Sequence, residues 1–288
     1  MSNSSNGVGI RNSREATKPD SHEHGKPARC NGMQKPITTH PNPSAMHHVR
    51  FRDPAGAVRQ GKWHGDAVSF GGETYNLDEV DVLPPCEPTK IVCIGRNYAK
   101  HAEERDETVP DRPLLFLKPP NAVASHGDTV TLPAGKENVE HEAELAVVIG
   151  EQCRNVAPED AESVVAGYTV MNDVSNRDDQ DIETNWVRGK AFDGAAPLGP
   201  VLADPEHLPD DASISLRVNG EVRQDSSIEH LIFSIPELVA EITTYMTLEP
   251  GDVISTGTPE GVGPLEDGDR VEVEVEGVGV LEHDVRQV

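Results

Sequence analysis

Aromatic side chains make up only 4% of the 288 residues, so the interior has to rest on Val, Ile, Leu and Ala, which favours aliphatic strands. Cysteine is also scarce. The four present, Cys30, Cys86, Cys93 and Cys153, form no C-x-x-C pair and no even spacing, so neither a disulfide framework nor a thiolate zinc site is expected. No run of about 18 apolar residues exists, and the N-terminus carries no apolar signal core, which points to a cytoplasmic protein with no membrane partner.

Positive charge is the other shortage. Lys and Arg number 25 against 50 Asp and Glu, for a formal charge of −25, and only nine of the basic residues are Lys. A surface this negative disfavours nucleic acid as a partner. Dispersed acidity with little Lys also resembles proteins of very salty cytoplasm, where dense carboxylates keep the surface hydrated.

Residues 1–45 are rich in Ser, Asn, Pro, Gly and His and lack apolar periodicity, the composition of a disordered tail. Their six basic residues outnumber their three acidic ones, opposite in sign to the body, and an over-called start with translation beginning at Met46 is the expected explanation. Short strand-like runs over 46–88 suggest a small β module ending in the linker "LPPCEPTK", and residues 89–288 form the main domain.

Within the main domain, "SLRVNGEVRQ" places two alternating runs around Asn219-Gly220 and predicts a hairpin. "SIPELVAEITTYMTL" predicts a helix, with Ser234 and Glu237 as a capping box and Pro236 in the first turn. "RVEVEVEGVGVLEHDV" alternates with period two and puts Glu272, Glu274 and Glu276 on a wet face. Strands dominate and the few helices do not interleave regularly, so the expected class is α+β, β-rich, with a rolled or barrel-like sheet.

The stretch "EHEAELAVVIG" carries the chemistry. Glu142 and Glu144 stand two apart at the mouth of an apolar strand and so point the same way. Like charges that close resist joint ionisation unless a cation sits between them. A solvated strand end is the competing reading. "AGYTVMNDVSNRDDQ" is a second apolar strand that ends in polar groups and offers Asp173. Three carboxylates from two strands make a hard all-oxygen site for Mg²⁺, Mn²⁺ or Ca²⁺, whereas zinc would call for His or Cys.

The ordered motifs "GRNYAKHAEE", "FLKPPNAV", "EHEAELAVVIG", "GYTVMNDVSNRDDQ", "GKAFDGAAPLGP" and "ISTGTPEGVGPL" resemble the fumarylacetoacetate hydrolase family in its shorter bacterial and archaeal branch, over roughly Lys90 to Val288. The resemblance implies a metal triad of Glu142, Glu144 and Asp173, a helical pair of His101 and Glu104, Lys190 as a catalytic cation, and Thr258 of the "GTPEGVG" loop at the substrate. Lys118 could neutralise the acidic site or merely snorkel at a strand end. Two departures, Asn176 for the usual Ala and Gly194 for a common Thr, fall outside the triad and bear on the pocket.

These roles fit the residue types. A carboxylate three residues after a histidine on a helix can orient the imidazole for general-base work, although a lone H-x-x-E pair also occurs on plain surfaces. Lys190 could stabilise an enolate or pair with Asp193 on the surface, and Arg177 is expected to pair with Asp178 behind the metal. The activity implied is metal-dependent hydrolysis of a C–C bond in a small acylpyruvate-type 2-oxo acid. Isomerisation of a hydroxymuconate or hepta-diene-dioate compound, or decarboxylation of a 2-oxo acid, needs the same enolate stabilisation. A non-catalytic binder of oxo acids would need the triad but not the base. Relatives of this kind are usually homodimers, and that state is carried over as an expectation.

Overall fold

The computed structural model describes residues 47–104, 108 and 110–288. The expected tail lies outside them, as does Cys30. Among the described residues no helix is long and apolar enough to cross a membrane.

Three sheets carry the fold. The largest is mixed, with its main path running Glu73–Asn76, Ala67–Phe70, Val58–Trp63, His47–Arg52, Ala196–Ala203, Val165–Asn172, Ala143–Ile149, Val253–Ser255, Ile91–Gly95 and Leu114–Lys118. Val253–Ser255 runs parallel to Ile91–Gly95, and the other pairs along this path are antiparallel. The path is open at both ends, so the sheet is no closed barrel. A five-stranded sheet follows the order Glu221–Ser227, Ser213–Val218, Arg270–Val275, Gly279–Gln287, Thr129–Leu132. A small three-stranded sheet joins Ser175–Asn176, Val139–His141 and Gly263–Pro264.

Every residue of the strand Ala143–Ile149 is buried, because both of its faces meet core. Ala143 and Leu145 pack with Ile214, Leu216, Val273 and Leu281 of the five-stranded sheet. Val147 and Ile149 pack with Leu238, Val239 and Ile242 of the helix Ile235–Tyr245. Ala146 and Val148, on the opposite face, pack with Met171, Leu198 and Cys93. Burying each such aliphatic side chain is worth about 1.5–3 kcal/mol, so this strand is firmly held beside the site.

The local signals act where expected. Asn219 and Gly220 take φ of 53° and 79°, as a type I′ hairpin turn requires, between Ser213–Val218 and Glu221–Ser227. Ser234 and Glu237 form their reciprocal capping box at the start of Ile235–Tyr245. The alternating C-terminal run folds as the hairpin Arg270–Val275 and Gly279–Gln287, with Val271, Val273 and Val275 inward. His47–Arg52, from the region expected to be an entry module, pairs antiparallel with Ala196–Ala203, so that region extends the large sheet.

Candidate metal centre and active-site pocket

Glu142 sits at a junction. The strand Val139–His141 before it belongs to the three-stranded sheet, and Ala143–Ile149 after it belongs to the large one. Its backbone N–H donates to Asn172 Oδ1 at 2.8 Å, and its carbonyl accepts from Asp173 N at 2.9 Å. These two bonds lock the end of one strand beside the end of the next. Carboxylate oxygens of Glu142, Glu144 and Asp173 thereby come within 4.8 Å of one another, with all three residues buried.

Each acid has distinct partners. Glu142 meets Arg177 on one oxygen and Lys190 Nζ at 2.8 Å on the other. Burial opposes its ionisation, but Arg177 and Lys190 outweigh that and hold its carboxyl well below the usual range. Glu144 Oε2 accepts from Ser255 Oγ at 2.5 Å and Gly257 N at 2.8 Å. Its carboxyl is pushed well above the usual range by burial first, then by Asp173 and Glu142. Asp173 lies between two lysines, Lys118 Nζ at 2.7 Å from Oδ1 and Lys190 Nζ at 2.9 Å from Oδ2.

The cluster fits a divalent cation. Asp173 Oδ1 is buried with no hydrogen bond, its approach to Lys118 being one of charge and not of hydrogen-bond geometry. Beside Asp173 stand two acids, Glu142 and Glu144, and two lysines, Lys118 and Lys190, with Arg177 on the far oxygen of Glu142. Burial and the other two acids push Glu144 toward its neutral form, and a +2 ion among the three carboxylates would favour ionisation of all of them. An all-carboxylate donor set is the chemistry of Mg²⁺, Mn²⁺ or Ca²⁺.

The triad opens onto a pocket of about 280 Å³. His101, Lys190 and Thr258 also line it, so six of the eight residues singled out from the sequence meet in one cavity. Of the other two, Lys118 lies beneath Asp173, fully buried, and its Nζ also donates to the carbonyls of Val174 and Ala195 at 3.1 and 2.7 Å. Glu104 stands behind His101, with Oε2 at 3.6 Å from Nδ1, on the helix Ala99–Glu104, and it accepts from Gly261 N of the Thr258 loop at 3.1 Å.

Lys190 ends the short helix Val187–Lys190 and bonds Glu142, Asp173 and Ser175, while Asp193 takes Asn121 at 2.6 Å. Asp173 and Glu142 raise the pKa of the Lys190 ammonium despite its burial, whereas burial lowers that of Lys118.

Arg177 departs from expectation. It pairs with Glu140 at 2.6 Å and with Glu142, and Asp178 instead caps the backbone N–H of Glu137 at 2.9 Å. Adjacent residues on a helix point about 100° apart, so the two could not face each other. Asn176, the departure from the family pattern, is buried and ties Asp179 to the carbonyl of Arg188, next to the Lys190 turn. Sequence reading missed Asn172, Gln224 and Ser255, the polar residues that hold the acids' backbone and side chains in place. A lone Asn at the end of the run "YTVMN" was the one visible signal.

A sequence model described as fumarylacetoacetate hydrolase, C-terminal, matches residues 90–286. The chain is 42% identical over 194 residues to the mitochondrial oxaloacetate tautomerase FAHD1 of Bos taurus, covering 65% of this chain and 87% of the bovine protein. Among solved structures, 5-carboxymethyl-2-hydroxymuconate delta-isomerase from Mycobacterium smegmatis aligns with a TM-score of 0.77 at 41% identity, over 84% of this chain and 99% of that one. Fumarylpyruvate hydrolase from Pseudomonas aeruginosa, in complex with Mn²⁺ and pyruvate, aligns with a TM-score of 0.66 at 35% identity, over 76% and 93%.

Proposed function

Since the chain belongs to the fumarylacetoacetate hydrolase family, we propose that its pocket is the active site of a divalent-metal-dependent enzyme that cleaves a C–C bond hydrolytically in a small acylpyruvate-type 2-oxo acid. The observation that carries this reading is the buried cluster of three carboxylates sharing a pocket with the imidazole of His101. A Mg²⁺ or Mn²⁺ ion held by Glu142, Glu144 and Asp173 would supply Lewis-acid polarisation of the substrate's 2-oxo group.

His101, oriented by Glu104, takes a proton from water as the water oxygen attacks the carbonyl distal to the carboxylate. The tetrahedral centre then collapses, and the electrons of the breaking C–C bond pass to the three-carbon half as an enolate. His101 returns its proton to that carbon, and water has been divided between a carboxylic acid and pyruvate. Lys190 would place its positive charge beside the oxygens on which negative charge develops, and the Thr258 hydroxyl would donate to one of them. Burial of the carboxylates excludes bulk water and strengthens each of these interactions.

A second reading is keto–enol isomerisation, and the 42% identity to a bovine oxaloacetate tautomerase favours it. It uses the same base and the same enolate stabilisation but breaks no C–C bond. Incubating acylpyruvates and oxaloacetate with the protein, Mg²⁺ or Mn²⁺, and then excess chelator separates the readings by product. Release of pyruvate supports hydrolysis, and faster enol–keto exchange with intact carbon skeleton supports the isomerase. Turnover unchanged in excess chelator would sink the metal assignment in both.

A further inference from the structure

Gln224 lies outside the pocket, on the five-stranded sheet, and is the one fully buried residue in a strand whose other members are exposed or half-buried. We propose that it is a positioning residue that fixes the direction of the Thr258 hydroxyl proton, making Thr258 a dedicated donor to an oxygen of the bound 2-oxo acid. This inference rests on the proposed function, in that it takes a 2-oxo acid as the occupant of the pocket.

The orientation of the Gln224 amide is set by its neighbours. Its Oε1 accepts from Ala143 N at 2.9 Å, and its Nε2 donates to the carbonyl of Pro259 at 2.9 Å. A backbone N–H can only donate and a carbonyl can only accept, so turning the amide over would create two repulsions. His141 Nδ1 lies 3.2 Å from the same Oε1 and must carry its proton there. The second Nε2 hydrogen then points at Thr258 Oγ1, 2.8 Å away.

A hydroxyl has one proton and two acceptor lone pairs. Thr258 Oγ1 spends a lone pair on Gln224, and among the described residues nothing accepts its proton. Thr256, two residues earlier, differs: its hydroxyl donates to the Leu145 carbonyl at 3.0 Å and is used up in the fold. Thr258 lines the pocket beside the carboxylate cluster, so its proton is free to meet a ligand oxygen there.

The same amide spans two parts of the site. Ala143, which it holds through Oε1, stands between Glu142 and Glu144, and Thr258 and Pro259 belong to the glycine-rich loop. The loop runs hard against this strand: a Cβ on Gly261 (φ +91°) would lie 2.2 Å from the carbonyl oxygen of Arg223, the residue before Gln224. Gln224 thus sets the spacing between the acids and the hydroxyl as well as the hydroxyl's direction.

The test uses pyruvate binding to the full chain in Mn²⁺, followed by calorimetric titration, with Thr258→Val, Thr258→Ser, Gln224→Glu and the double variants. Gln224→Glu keeps Ala143 N–H paired but, as a carboxylate, sets an oxygen against the Pro259 carbonyl and forces Thr258 to donate backward. The expected result is an affinity loss of about tenfold or more for Thr258→Val and for Gln224→Glu, the scale of one charge-assisted hydrogen bond. Combining them adds nothing further, and Thr258→Ser stays near wild type only when Gln224 is present. Losses that multiply would overturn the inference.

Should Gln224→Glu fail to fold, a neutron structure of the wild type with pyruvate decides. A Thr258 deuteron directed at a pyruvate oxygen supports the inference, and one directed at Gln224 overturns it. Absence of any pyruvate binding by the wild type overturns this inference and the proposed function together, whereas binding with multiplying losses overturns this one alone.

Discussion

Lys118 Nζ stands 2.7 Å from Asp173 Oδ1, and neither side chain is reached by solvent. Lys118 also satisfies the carbonyls of Val174 and Ala195, so one ammonium closes the floor of the cluster. Lys118→Met keeps the volume but leaves Asp173 with Lys190 as its one cation and two buried carbonyls without their donor. The expected cost is about 3–5 kcal/mol, read as a lowered urea midpoint. Where the variant still folds, Mn²⁺ affinity should rise, because one competing positive charge is gone. An unchanged midpoint would show that the lysine is dispensable to the fold.

Asp173→Asn removes one oxygen charge from the centre of the three acids and leaves Lys118 and Lys190 facing each other across a neutral amide. Affinity for Mg²⁺ and turnover of the oxo acid should fall together, each by at least about tenfold, since a charge-assisted contact is worth about 1.5–3 kcal/mol. Isothermal titration with Mg²⁺ beside a turnover assay checks the pairing of the two losses. Activity that persists while Mg²⁺ binding disappears would detach the acids from the chemistry.

His101→Ala is expected to abolish turnover, by about 10²–10⁴-fold for loss of a general base, while leaving Mn²⁺ affinity nearly as it was. Glu104→Gln should produce a smaller fall in kcat and a shifted pH profile, because the carboxylate 3.6 Å from Nδ1 only orients and polarises the ring. Equal losses of metal binding and turnover in His101→Ala would instead mark the histidine as part of the cation site.

His283 links the C-terminal strand to the cluster. Its Nε2 accepts from Asn172 Nδ2 at 2.8 Å, and Asn172 Oδ1 in turn holds the backbone N–H of Glu142. Burial pushes the His283 imidazolium down to about 4. The unfolded chain binds that proton near pH 6.5, so the contribution to stability is complete above pH 6.5 and is lost as pH falls toward 4. Between pH 7 and 5 the wild type should lose about 2 kcal/mol more than His283→Gln in denaturant titrations. Parallel pH dependences would remove His283 from this role.

What the sequence made legible were features governed by local rules. Two glutamates at i and i+2 must share a strand face, Asn-Gly must turn, and Ser234 with Glu237 must cap, whatever surrounds them. The triad was therefore readable once a second strand offered Asp173. Lys118 was not, because a lysine at a strand end looks the same whether it reaches water or a buried acid. Arg177 was given the wrong partner because nearness in the chain stood in for nearness in space. Gln224 gave no signal: it belongs to a strand of mostly wet residues, and only the packing of the glycine-rich loop against that strand makes it interior.

The two walls of the pocket differ in how they are held. Glu142, Glu144 and Asp173 hang from strands buried on both faces, whereas Arg96, Leu114, Trp186 and Asp181 come from an edge strand, short turns and exposed segments. The outer wall has few ties to the interior, whereas Glu142 and Glu144 are held by Asn172, Ser255 and the Gly257 backbone N–H. The cavity can therefore be reshaped from its outer wall while the three acids stay where the core fixes them.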